Sequence, residues 1–491
     1  MIIKQPTLYS QICEYISEKK IRLSAPGHKG NVHFKATDMF KTDIAPNSTN
    51  KGRVLGNGFI NQAEKKLAEK YGTVASFYLT NGAESGIHIM ASAMLKKGDK
   101  VLVDRLSSKA VIQSIIACDL VPVFIDRSFN HQYGFEGGLN IERLDYAMSV
   151  HSDAKAVFVQ SVTPHGIVSD MERICETAHR SNMLVLCDET YGGHFSTYNG
   201  LPHSALEFGA DIVVQSASDM LGALSGGALL HINNSAIDIE RIKDELNVYQ
   251  SHNVSISVMC ALDNSIHYAF NSQKKYEAVL KALENASKLI NSQTEIYWLD
   301  RTVEGTCNIY TADPMRITLS FAKTPLTGYQ AYEILRKKHK IECDFADSNN
   351  VVLSASIYNS PYDIRKLTNA LNAISYMTHK LKYQQLEVKT ELSEIINDVN
   401  FHLTPYDAYH SSYERIELNQ ARGHISRRAV CRFPAMTPII LPGEKITSEH
   451  IELIFSIIDN GGFVDGINEN EEIDVVSVTD GFFKTEQIRL F

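Results

Sequence analysis

The chain has 491 residues, too long for one hydrophobic core, so about two to four domains are expected. Its composition, 44% hydrophobic and 21% charged, is that of an ordinary globular protein. A formal net charge of -9 and a pI near 6.1 argue against a nucleic-acid partner, because phosphate binding wants a basic face. The start, MIIKQPTLYSQICEYISEKK, lacks the apolar core of a signal peptide, and no apolar run reaches the ~18–20 residues that span a bilayer. A soluble cytoplasmic protein with no membrane partner is expected. The cysteines, Cys13, Cys118, Cys175, Cys187, Cys260, Cys307, Cys343 and Cys431, are scattered singly. Their spacing gives no disulfide framework and no metal site.

Along the chain there is no internal repeat and no low-complexity stretch. From about residue 74 to 235, apolar β-type runs alternate with helical patterns. The runs are SFYLT (76–80), KVLVD (100–104), VPVFI (121–125), AVFVQ (156–160), MLVLCD (183–188) and DIVVQS (211–216). Continuous apolar strands are those of a parallel sheet covered on both faces, so the alternation predicts a doubly wound α/β layer. One intervening segment, Met171 to Ser181, places Ile174, Cys175 and Ala178 on one helical stripe. A long helical stretch is predicted from Asp263 to about Asn291. A second, α+β pattern follows: PMRITLSF (314–321), a helix near Tyr329 to His339, and NVVLSAS (350–356). The last hundred or so residues change character, with TPYDAY (404–409), PIILPGEKIT (438–447) and an acidic NENEEID (468–474) that reads as a solvated loop.

In open α/β sheets ligands collect beyond the carboxyl ends of the strands, where helix N-termini offer unpaired N–H groups. The residues immediately after each run are therefore the informative ones. They are Asn81-Gly82-Ala83-Glu84-Ser85-Gly86, Arg105-Leu106-Ser107-Ser108-Lys109, Ser161-Val162-Thr163-Pro164-His165-Gly166, Asp188-Glu189-Thr190-Tyr191-Gly192-Gly193-His194 and Ser216-Ala217-Ser218-Asp219. Singly these are ordinary turns and helix caps. Their order is that of a pyridoxal phosphate (PLP) site: a phosphate-cup turn, an Asp ending a strand, and a Ser-x-x-Lys-like turn about 30 residues later.

On these segments the chain resembles the ornithine/lysine/arginine decarboxylase family, from about residue 7 to 480, in a short form without the N-terminal wing domain. RLSAPGHKG (22–30) is similar to the family's entry motif, LTNGAESG to its phosphate loop and DETYGGHF to its aspartate segment. VVQSASDMLGALSGGALLH is similar to the segment carrying the Schiff-base lysine, and TPYDA and PIILPGEKIT to C-terminal landmarks. The resemblance implies a PLP-dependent transferase-like large domain with a mostly parallel sheet, a small α+β domain and a C-terminal decarboxylase-type domain. The expected parts are an N-terminal segment 1–55, a large domain 56–305, a small domain 306–385 and a C-terminal domain 386–491. It also implies a site between two subunits, hence a homodimer or a multiple of dimers.

Carried over residue by residue, Asp188 matches the partner of the pyridine nitrogen. Ser161, Thr163, Ser216 and Ser85 match retained or remnant cofactor positions. Most of the other chemical positions differ. The Schiff-base lysine position holds Asp219 and the His before it is Ser218; the phosphate-loop Ser and Thr are Ala83 and Glu84. The ring-stacking His is Ser108, beside Leu106 in place of an Asn, and the small Ala on the other ring face is Thr190. The C-terminal Pro-Pro-Gly-Ile-Pro segment reads Pro434-Ala435-Met436-Thr437-Pro438. No lysine lies between Lys155 and Lys243 to substitute. A carboxylate forms no imine. At the cup, Glu84 and a phosphate ~4 Å apart would repel by roughly 4 kcal/mol at an effective dielectric near 20. The expectation is a degenerate member without covalent PLP. An active basic amino-acid decarboxylase remains an alternative. Another is an enzyme of changed chemistry, with PLP held non-covalently or with Asp188 and Asp219 as acid and base. A small-molecule ligand is compatible with each, and the substrate is not legible.

Overall fold

The structure, a computed structural model, describes residues 16–31, 58–251, 254–379 and 401–477. The start of the chain with Cys13 and the expected boundaries near residues 55 and 385 lie outside these residues. The central sheet has seven strands, in the order Ala75–Leu79, Ala228–Ile232, Ile212–Ser216, Leu184–Asp188, Ala156–Gln160, Lys100–Asp104 and Val121–Ile125. The last five are parallel to one another, as the continuous apolar runs predict. Ala228–Ile232 is not among the runs read from the sequence, and it is antiparallel to both neighbours. It follows the Asp219 turn too closely for a parallel crossover, which needs a dozen or more residues, so the chain doubles back.

Alternate strand residues feed opposite cores. Val101, Val103, Phe158, Leu186 and Val214 pack with the helices Ala83–Met94, Lys109–Ala117 and Ile239–Tyr249. Leu102, Val157, Val159, Val185 and Val213 pack with Ile141–Val150 and Met171–Arg180. The layer is thus covered on both faces, and all of these strand residues are fully buried or nearly so.

The long helical stretch is two helices, Ile256–Phe270 and Gln273–Gln293, interrupted at Asn271-Ser272. Beyond them Tyr297–Trp298, Arg316–Ser320, Asn350–Ser354 and Phe345–Ala346 form a four-stranded antiparallel sheet. The helices Gly328–Lys338 and Pro361–Thr378 go with it, each opened by a capping box at Thr327 and Ser360. Ile21–Leu23 pairs in parallel with Ile341–Cys343, so the entry segment forms a separate two-stranded sheet with the stretch just before the Phe345–Ala346 strand. The last described part contains the strands Thr437–Ile440, Val430–Phe433 and Phe463–Asp465 and the helix Ser448–Asp459. The acidic stretch is in part the strand Glu472–Val476, paired with Tyr413–Glu417, rather than a loop throughout.

Two buried arginines tie the strand ends. Arg127 Nε donates to both Asp104 oxygens at 3.1 and 2.9 Å, and its Nη2 donates to Asp104 Oδ2 at 2.5 Å and to the Gln160 carbonyl at 2.6 Å. Its Nη1 donates to the Gly137 carbonyl and to Ser169 Oγ, each at 3.1 Å. Asp104 and Gln160 are the last residues of neighbouring parallel strands, so one side chain fixes both ends. Arg105, with no exposure, donates to the Pro438 and Ile439 carbonyls at 3.2 Å and lies 3.5 Å from Glu444. It anchors the C-terminal part on the loop that carries Ser108.

Replacing Arg127 by Met strands the buried Asp104 carboxylate. Urea unfolding is expected to show a loss of about 3–5 kcal/mol. A loss below about 1 kcal/mol would contradict the role given to this contact.

Candidate functional site

The carboxyl ends of the parallel strands bring the turns read from the sequence into one region. Asp188 closes the central strand and is buried. Its Oδ1 accepts from the Thr190 backbone N–H at 3.0 Å and the Thr190 hydroxyl at 2.5 Å, and its Oδ2 accepts from Ser108 Oγ at 3.0 Å. Burial pushes the Asp188 carboxyl above its ordinary value, while these hydrogen bonds oppose the shift. Both oxygens are therefore engaged by the chain itself, through the residues at the two positions that flank the ring in the family pattern.

The other retained positions serve local geometry. Ser161 Oγ donates to Glu189 at 3.1 Å. Glu189 is also held by Ser204 Oγ, the Ala205 N–H and Gln215. Thr163 Oγ1 accepts from Ile167 N at 3.2 Å, closing its own turn. Ser85 Oγ donates to the Gly82 carbonyl at 2.8 Å, and Ser216 Oγ accepts from Asp219 N at 3.3 Å as the cap of the short helix Ala217–Met220. At the cup, Gly82 has φ 86°, and a Cβ there would collide with Glu84 Oε2. The Glu84 carboxylate thus folds back over the N-terminus of the helix Ala83–Met94, where negative charge is favoured.

Asp219 faces a cavity of about 310 Å³ lined also by Ala25, Tyr191, Arg316, Asp344 and Pro434, among others. The entry motif packs on its turn: Gly27 N donates to the Ser218 carbonyl at 2.8 Å, and a Cβ on Gly27 would lie 2.8 Å from the Asp219 carbonyl oxygen. Only glycine allows that approach. Arg316 donates to the Pro164 carbonyl at 3.1 and 2.6 Å and to Asp344 at 3.1 Å, and stacks on Tyr191 at 4.6 Å. Lys29 Nζ donates to the Ser24 and Ser354 carbonyls at 2.7 and 2.9 Å and to Ser354 Oγ at 3.3 Å. Burial lowers the Lys29 pKa to about 8 despite the nearby Asp344 and Asp219 charges. Burial likewise raises that of Asp219. Asp188 and Asp219 share no hydrogen bond. Sequence reasoning missed Arg316, Asp344 and Arg127, since an arginine at a strand start carries no motif of its own.

His165, from the turn after the Ala156–Gln160 strand, is buried between Glu136 and Asp347. Its Nδ1 lies 2.5 Å from Glu136 Oε2, off the line of a good hydrogen bond, and its Nε2 is 2.9 Å from Asp347 Oδ2. Arg432 Nη1 is 4.0 Å from Asp347 on the far side. Burial opposes the imidazolium, but the Glu136 charge and the contacts to both carboxylates outweigh it and raise the pKa to about 9. Burial alone would raise Glu136; the charge of His165 and its contact hold it at about 2. Among the described residues no group of three or more His, Cys, Asp or Glu is placed to hold a metal ion, and no helix is long and apolar enough to cross a membrane.

A family model described as the Orn/Lys/Arg decarboxylase major domain matches residues 6–357. An arginine decarboxylase of Bacillus subtilis is 27% identical over 469 residues, covering 94% of this chain and 95% of its own. A lysine decarboxylase of Francisella novicida superposes with a TM-score of 0.73 at 15% identity, covering 96% of this chain and 84% of its own. A serine palmitoyltransferase of Sphingomonas wittichii gives a TM-score of 0.58 at 16% identity, covering 73% of this chain and 87% of its own. These likenesses bear out the α/β fold and its mostly parallel sheet.

The His165 cluster generates a pH test. With a folded pKa near 9 against 6.5, the imidazolium stabilises fully below about pH 6.5, and that contribution is lost as pH rises through about 9. Glu136, held at about 2 against 4.5, stabilises above about pH 4.5 and loses that contribution toward pH 2. The melting temperature should fall between pH 7 and about 9.5, and His165→Gln should flatten that limb. An unchanged slope in His165→Gln would remove the cluster as its cause.

Proposed function

This chain belongs to the Orn/Lys/Arg decarboxylase family, and from that premise we propose that it is a degenerate member, keeping the fold while no longer holding PLP covalently. The observation that carries this reading is the carboxylate of Asp219 at the position of the family's imine-forming lysine. No lysine lies between Lys155 and Lys243, and Lys29, whose charge acts on Asp219, has its hydrogens committed to Ser24 and Ser354. Three features support it. Glu84 lies over the cup that would hold a phosphate, Ala83 has no hydroxyl to offer, and both Asp188 oxygens are engaged by Ser108 and Thr190. The residues present do not fit the phosphate-bearing cofactor. The reading includes the four-part organisation at 1–55, 56–305, 306–385 and 386–491. It also includes a small-molecule ligand for the altered site, a cytoplasmic location and a homodimer or multiple of dimers.

A second reading, an active PLP-dependent decarboxylase, is favoured by the names of relatives matched over nearly the whole chain. Absorbance and gas release separate the two. Purified protein should be colourless, gain no visible band with added PLP, and release no CO2 from lysine, ornithine or arginine. Asp219→Lys alone should restore neither, whereas Asp219→Lys with Glu84→Thr, Ala83→Ser, Ser108→His and Thr190→Ala should recover PLP binding. Yellow protein from expression, or CO2 release by the unaltered chain, would return it to the active class.

The assembly is tested separately. Sedimentation at micromolar concentration should give a dimer or a multiple of it, with an interface beyond the ~1,600 Å² of a standard complex. A monomer would end that part of the proposal.

A further inference from the structure

We infer that the cavity beside Asp219 binds a small primary-amine cation through an ion pair to the Asp219 carboxylate. The inference rests on the PLP-free reading, because it assigns the same cavity a ligand that needs no cofactor.

Asp219 has no ion pair within 4 Å among the described residues, and its side chain receives a long hydrogen bond from Ser218 Oγ, 3.3 Å to Oδ1. The two cations nearby are committed elsewhere. Arg316 uses Nε and Nη2 on the Pro164 carbonyl, Nη1 on Asp344, and its face on Tyr191. Lys29 donates to Ser24 and Ser354. Asp219 is thus the charge in the cavity left without a close counter-ion, and a carboxylate withdrawn from water is stabilised by acquiring one.

The shape and the remaining lining select the cation. The volume of about 310 Å³ is at the small end of ligand sites, roughly 300–1,000 Å³, and suits a short aliphatic molecule. Ala25, Phe345, Pro434 and Ala435 supply apolar wall for a methylene stem. Ser218 already donates to Oδ1, so a compact ammonium fits better than a guanidinium, whose flat fork wants both carboxylate oxygens. Arg316 and Asp344, also on the lining, pair with each other, so the lining carboxylate left without an ion pair is that of Asp219, which selects a positive guest. No covalent step is involved: the amine enters and leaves as its ammonium ion.

The probe is n-butylamine, with n-butanol and butyrate as neutral and anionic controls of the same shape, added to the purified full chain at constant ionic strength. Calorimetric titration and thermal melting should register the amine and neither control. Asp219→Asn should weaken amine binding about tenfold or more, while Asp219→Glu retains part of it. Ligand-free melting curves establish that each variant is folded. Should Asp219→Asn fail to fold, the intact chain still decides: an equal response to butanol, or no response to butylamine, overturns the inference. Equal amine binding by a folded Asp219→Asn protein also overturns it. A visible band on adding PLP would instead strike the PLP-free reading, which the amine titration does not measure.

Discussion

The ends of the central strands are held by one guanidinium. Arg127 has no counterpart among the motifs, yet it joins the last residue of the Lys100–Asp104 strand to the last residue of the Ala156–Gln160 strand. The turns that follow these two strands carry Ser108 on one side and Ser161, Thr163 and His165 on the other. A buried carboxylate in a medium of low dielectric demands such a partner, and a planar, permanently charged donor with five N–H groups can satisfy several acceptors at once. The placement of the groups on these two turns depends on this frame.

On the proposed reading, the site combines the family's scaffold with altered chemistry. Asp188 keeps its place, but Ser108 and Thr190 supply hydroxyls to its two oxygens. With the Thr190 N–H they bring the carboxylate to three accepted hydrogen bonds, of the roughly four it can take. Glu84 acts similarly at the helix N-terminus, where its charge meets the positive end of the helix dipole. In both places a side chain of the chain supplies the complementary charge or hydrogen bond that a ligand would otherwise provide.

Asp219 differs from these two. Its turn is pressed against the Gly27 backbone, which fixes where the carboxylate stands, and the cations nearby are held by other partners. Burial therefore raises its pKa, and the Arg316 charge, which is not hydrogen-bonded to it, only partly counters the shift. Arg316, Asp344 and Lys29 come from segments far apart in the chain, so the electrostatics of this cavity arise from the docking of the entry segment and the four-stranded sheet on the central layer.

The apolar runs alone determined six strands of the central sheet and the parallel arrangement of most of them, because fully covered strands must be apolar on both faces. The same logic located the strand-end turns, while the departures proposed at Asp219, Glu84, Ala83 and Ser108 rest on the resemblance to the family's order of motifs. Ala228–Ile232 was not read as a strand, since an antiparallel return is set by the length of the preceding turn rather than by composition. The break at Asn271-Ser272 was hidden within a continuous helical pattern. The pairing of Ile21–Leu23 with Ile341–Cys343 and the clustering of His165 with Glu136, Asp347 and Arg432 were decided only by tertiary structure. Periodicity reports which residues are buried, whereas the partner of a buried charge depends on distant segments meeting in space.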